Sequence, residues 1–185
     1  MSGKISDNLG RSSGLVKAAG GGAILKTSTL QFTGVASHTG TAPVAMTEFN
    51  LSFAPTTSSG KLWLECHLMT SCGSAMSSAG YFYNSTDSAT VGPIGAAAGS
   101  RLRGQWRTAI TDSSFAQNVS FGCWYEPAST SSKDYQIFGA AQASVTFYIN
   151  SAGIGTDNNQ IYFTRCASTF SITEFDGSIV TIETT

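Results

Sequence analysis

The chain has 185 residues, a formal net charge of −1 and charged side chains at only 11%, against roughly 25% in an average soluble protein. So weak and balanced a charge excludes a molecule built around a strong field toward nucleic acid or an anionic membrane. No run approaches the roughly eighteen apolar residues of a membrane-spanning helix, the start lacks the apolar core of a signal peptide, and the length suits one domain that can bury a core without staples.

Ser and Thr together make up about a quarter of the residues, so the surface is polar through hydroxyls rather than charges. Residues 1–22 differ from all that follows. They are rich in Gly and Ser and hold few apolar side chains, Ile5, Leu9, Leu15 and Val16. Lys4, Arg11 and Lys17 against Asp7 give the segment a local charge of +2. Such a stretch cannot bury a core of its own, and residues 18–23, Ala-Ala-Gly-Gly-Gly-Ala, form a flexible joint. The expectation is an extended N-terminal arm, residues 1–22, followed by a body at 23–185.

From Ile24 the pattern turns to strands. Residues 24–33 are rich in β-branched side chains. In residues 47–53, Thr47, Phe49, Leu51 and Phe53 alternate with polar groups, and in residues 61–69, Leu62, Leu64, Cys66 and Leu68 do the same. A period of two puts each set on one face of a sheet. Between them Pro55 and a Thr/Ser/Gly run supply turn chemistry, so 47–69 reads as a hairpin. Further strands are expected at 79–84, 102–111, 117–125, 135–138, 143–150, 160–166, 169–175 and 179–183, with loops at 34–43, around 92–99 and at 150–159. Many short strands, frequent turns and no helical period predict an all-β, jelly-roll-like β-sandwich.

Three stretches together resemble the trimeric fibre or head-decoration proteins of tailed bacteriophages, particularly of aquatic bacteria. Residues 1–18, beginning Met1-Ser2-Gly3-Lys4-Ile5, are similar to a short N-terminal segment on many such virion proteins. Residues 49–62, Phe49 through Pro55 to Lys61-Leu62, resemble their strand, Pro-Ser/Thr turn and Lys-apolar strand. Residues 168–175, Ser168-Thr169-Phe170 to Phe175, resemble their closing strand, although 176–185 run past the usual end. The resemblance implies a homotrimeric body on the virion surface, assembled in the host cytoplasm. Its arm, through Lys4, Ile5, Leu9, Arg11, Leu15, Val16 and Lys17, would dock on capsid, neck or tail proteins.

Chemistry is sparse. The two histidines, His38 in an expected loop and His67 in a strand, do not pair with cysteines at metal-ligand spacing. The sequence shows no nucleophile elbow, phosphate loop or dinucleotide fingerprint, and neither enzymatic activity nor a cofactor is expected. Cys66, Cys123 and Cys166 sit in apolar strand-like runs and are expected as buried, reduced thiols; assembly in a reducing cytosol argues against a disulfide. Glu174 and Asp176, two apart, read as a solvated edge rather than a glycosidase pair. Arg101, Arg103 and Arg107 with Trp106 form the basic cluster, too small for phosphate binding. With Tyr81 and Tyr83 they are candidates for inter-subunit or host-glycan contact. The aromatics Trp63, Trp124 and Tyr125 share the glycan reading but fit core or inter-subunit packing as well.

Overall fold

The computed structural model describes residues 23–97, 99, 102–110, 112–113, 115–152 and 165–183. The arm and its residues Lys4, Ile5, Leu9, Arg11, Leu15, Val16 and Lys17 lie outside the described residues, as do Arg101 and most of the strand expected at 160–166. The described chain is all-β, a two-sheet, jelly-roll-like sandwich. Its strands are β1 (Ile24–Phe32), β2 (Ala36–Thr39), β3 (Val44–Phe53), β4 (Lys61–Cys72), β5 (Ser77–Asn84), β6 (Ala89–Thr90), β7 (Trp106–Ala109), β8 (Gln117–Tyr125), β9 (Lys133–Ala141), β10 (Thr146–Ile149) and β11 (Ser168–Phe175). One sheet runs β1-β11-β4-β10-β2, with β8 on the other side of β4; the second runs β3-β9-β5-β6, with β7 also pairing β5.

Alternation explains why these segments choose this form. Leu62, Leu64, Cys66 and Leu68 of β4 are buried, and so are Phe170 and Ile172 of β11, Tyr135 and Ile137 of β9, and Phe82 of β5. Each such side chain removed from water contributes about 1.5–3 kcal/mol. Ring packing fixes the sheets against each other: Phe82 stands 4.6 Å from Phe121 and 5.5 Å from Phe170. In β3 the period breaks, since Met46 and Phe49 both point inward and the pairing with β9 shifts between Met46 and Leu51. This irregularity sends Thr47 outward, against the expected face.

The segment 47–69 is not a hairpin. β3 pairs with β9 in one sheet and β4 with β8, β10 and β11 in the other, so residues 54–60 carry the chain from sheet to sheet. The cause lies far along the sequence: Glu174 of β11 is fully buried. Its Oε1 and Oε2 accept the backbone N–H of Thr56 at 2.9 and 2.7 Å, and Oε1 that of Thr57 at 3.0 Å. Gly60 closes the seat, because a Cβ there would stand 2.5 Å from Glu174 Oε1. The expected solvated edge at Glu174 is therefore corrected to a buried pin. His38 is likewise in β2 rather than a loop, and residues 179–183 follow β11 as turn and coil rather than a strand.

Side chains bridge the corners where the sheets meet. Lys26 of β1 donates to Ala54 O at 2.9 Å and lies 4.6 Å over the Phe53 ring. His38 of β2 meets Glu48 of β3 at 2.7 Å, its ring 5.3 Å from Phe147. Thr108 of β7 hydrogen-bonds Gln117 of β8 at the opposite corner. Edge strands otherwise invite pairing with foreign strands.

Strand direction gives the body two distinct ends. At the first, Ala23 accepts a hydrogen bond from Asp176 N at 3.0 Å and Ile24 pairs with Phe175; the turns 54–60, 85–88 and 126–132 gather there. At the second, Asn150 is the organiser. It adopts φ +59°, donates from Nδ2 to Phe32 O and Gly34 O at 2.7 and 2.9 Å, and accepts from the Ser168 hydroxyl at 2.6 Å. Ser168 Oγ in turn accepts from Met69 N at 3.0 Å.

Candidate binding surfaces

Outward positions of the alternating strands carry two aromatic clusters. On the β5–β9 face Tyr81 stacks on Phe138 with centroids 5.8 Å apart, and Tyr83 lies 4.3 Å from the same ring. Burial and the neighbouring Tyr83 push the Tyr81 phenol above its ordinary range, so it remains a neutral hydrogen-bonding group. Arg103 is exposed and donates to Gly95 O at 2.6 Å; Arg107 is exposed and reaches Ser77 Oγ at 3.3 Å. Tyr81 and Arg103 help line a shallow hollow of about 410 Å³ with Leu102 and Ile94.

Trp106 parts company with its expected neighbours. It is buried at 5% exposure, its ring 5.9 Å from Phe121, because Trp106 and Arg107 are consecutive in β7 and so point to opposite faces. It offers no ring to a sugar or to another subunit.

The second cluster lies on the outer face of β4, β8 and β11. Trp63 and Trp124 are register partners with ring centroids 5.2 Å apart and planes at 55°, and Phe175 packs edge-on to Trp124 at 5.2 Å. Gly122 makes room for the indole, since a Cβ there would stand 2.5 Å from Trp63 Cζ2. Trp63 Nε1 donates to Glu65 Oε2 at 3.3 Å, Glu65 lies 3.2 Å from His67 Nε2, and Lys61 pairs with Glu126. Gly92, Pro93, Ile182 and Glu183 join this face in lining a groove of about 780 Å³. That volume falls within the roughly 300–1,000 Å³ of ligand sites. The sequence leaves Trp63 and Trp124 open between glycan contact and packing, and the structure puts both on the outer face; the walls come from distant segments that no local pattern brings together.

Among the described residues no group of three or more His, Cys, Asp or Glu is arranged to hold a metal ion. The thiols divide differently from expectation. Cys66, Cys72 and Cys123 are buried and Cys166 is exposed, all four free. Burial raises the thiol of Cys66, helped by Glu65, and pushes Cys123 up to about 12, so both stay protonated and unreactive.

No family model and no curated protein matches the chain. Among solved structures it is similar to the VP2 subviral particle of infectious bursal disease virus, at 11% identity and a TM-score of 0.37, over 81% of this chain and 41% of that one.

Proposed function

We propose that the chain is a virion structural subunit of a tailed bacteriophage, a homotrimeric fibre or capsid-decoration protein that docks on the particle through residues 1–22. The observation that carries the reading is a convergence. The two body stretches that resemble phage fibre and decoration proteins, 49–62 and 168–175, are far apart in sequence yet lock together through Glu174 and the N–H groups of Thr56 and Thr57. β1 begins at the same end, where Ile24 pairs with Phe175. Ile24 and Ile179 are each 57% exposed there, apolar surface that a docked partner would cover.

On this reading the arm's backbone is satisfied by strand addition to a partner, and Lys4, Arg11 and Lys17 face an acidic surface on it. The subunit sits on the virion surface, does no catalysis and takes no cofactor; Glu174 is committed to its turn and forms no acid pair with Asp176. Deleting residues 1–22 tests this: the shortened protein should remain a folded trimer by light scattering yet fail to join particles. A shortened protein that still incorporates overturns the reading. Copy number per particle, high for decoration and low for a tail fibre, separates the two forms. The second reading, a receptor- or glycan-binding tip, is favoured by the groove over Trp63 and Trp124.

A further inference from the structure

We propose that the groove over Trp63 and Trp124 is a binding site for a neutral saccharide. The floor is built for a flat ring. Two indoles are held at a fixed angle by each other, by Phe175 and by the backbone of Gly122. The C–H face of a pyranose carries small positive charges that match the negative face of an aromatic ring. The rim supplies acceptors for the sugar's hydroxyls: Glu126, 56% exposed at its side chain, and Glu183, while Glu65 lies beyond the lining and holds the Trp63 indole N–H.

Charge narrows the ligand class. The acids at or beside the groove are Glu65, Glu126 and Glu183, and the Lys61 ammonium is already paired with Glu126. A sialylated or otherwise acidic glycan would meet repulsion there, and an apolar segment of a second copy would strip water from these carboxylates while offering them no further donor. A polyhydroxyl ligand satisfies both floor and rim. The Tyr81–Tyr83–Phe138 cluster, beside Arg103 rather than carboxylates, lacks this combination.

The inference rests on the second reading above and narrows its ligand class, and it is independent of the arm, so particle incorporation of the shortened chain and glycan binding of the full chain can fail separately. Its test uses the full chain on an array of neutral hexose and N-acetylhexosamine oligosaccharides beside sialylated ones, with indole N–H resonances followed as the best array glycan is added. The chain has three tryptophans, and the buried Trp106 serves as an internal reference. The expected result is selective retention of neutral probes, movement of the Trp63 and Trp124 signals, and a still Trp106. Trp124→Ala should weaken binding on the order of tenfold or more, the scale of one lost ring stack, and Tyr81→Ala should leave it unchanged. No retained neutral glycan, preference for sialylated probes, or a Trp106 shift equal to the others overturns the site. So does loss of the trimer in Trp124→Ala with no glycan response in the unaltered protein, which would make the face a contact between copies.

Discussion

The two ends of the sandwich solve the same problem with different chemistry. At the end where β1 begins, a carboxylate organises the turns: Glu174 reaches across from β11 and takes the N–H groups of Thr56 and Thr57. At the far end a neutral amide does so, Asn150 donating to Phe32 O and Gly34 O. Orphan donors collect where the chain leaves β3 for the other sheet, and a buried acceptor answers them. Orphan carbonyls collect beyond β1, and a buried donor answers those. Each turn set is thus held by a residue more than a hundred positions away in sequence, and the fold tolerates a buried polar group only because its partners are complete.

The carboxylate end should be the more fragile. Glu174→Ala takes the carboxylate acceptor from the N–H groups of Thr56 and Thr57, a loss of about 3 kcal/mol at the lower range for two hydrogen bonds to a charged group. For a chain of this size that lowers Tm by about 2–4 °C per kcal/mol. Gly60→Val should act from the other side by pushing a side chain into the carboxylate's seat. Calorimetry checks both, and a Glu174→Ala protein as stable as the parent would show that the turn is held by something else.

The amide end should lose less. Asn150→Gly keeps the left-handed backbone that Asn150 adopts at φ +59° while removing the bonds to Phe32, Gly34 and Ser168, a cost of about 2 kcal/mol. Amide exchange should quicken near Gly34 in that variant, and near Thr56 in Glu174→Ala. Equal loosening at both ends in either variant would mean that the two ends are not held independently.

Much of the fold was legible because alternation is local. The inward set Leu62, Leu64, Cys66 and Leu68 follows from a period of two. Failures came where a distant partner decides. Pro55 and its Ser/Thr run look like a hairpin turn from either flank, and nothing near them reveals Glu174 more than a hundred residues on. Glu174 itself, beside Phe175 and Asp176, looks solvated until its acceptor role is seen. Trp106 was grouped with Arg103 and Arg107 by nearness in sequence, although neighbours in a strand face opposite ways. The aromatic floor of the groove is open between glycan contact and packing in the sequence, and its walls at Gly92, Pro93, Ile182 and Glu183 are invisible there because they are assembled by topology.

At the carboxylate end a second acid works in the open, with the least at stake for stability. Asp87, in the turn between β5 and β6, is held below its ordinary value of 3.8, chiefly by the Lys133 hydrogen bond, with the Lys133 charge and Asn84 adding to it. The contacts are Lys133 Nζ at 2.6 Å and Asn84 Nδ2 at 2.9 Å. A lowered folded value means that the unfolded chain takes up its proton first as pH falls. The stabilisation is therefore complete above 3.8 and disappears as pH drops through the lower folded value. Lys133→Met should lower Tm slightly at neutral pH, as exposed pairs do, and the gap from the parent should close in acid and shrink in high salt. A gap that persists in strong acid would mean that Lys133 acts through packing of its methylene stem rather than through its charge, and the contrast between a buried, solvent-shielded acid and an exposed, screened one at the same end would fail.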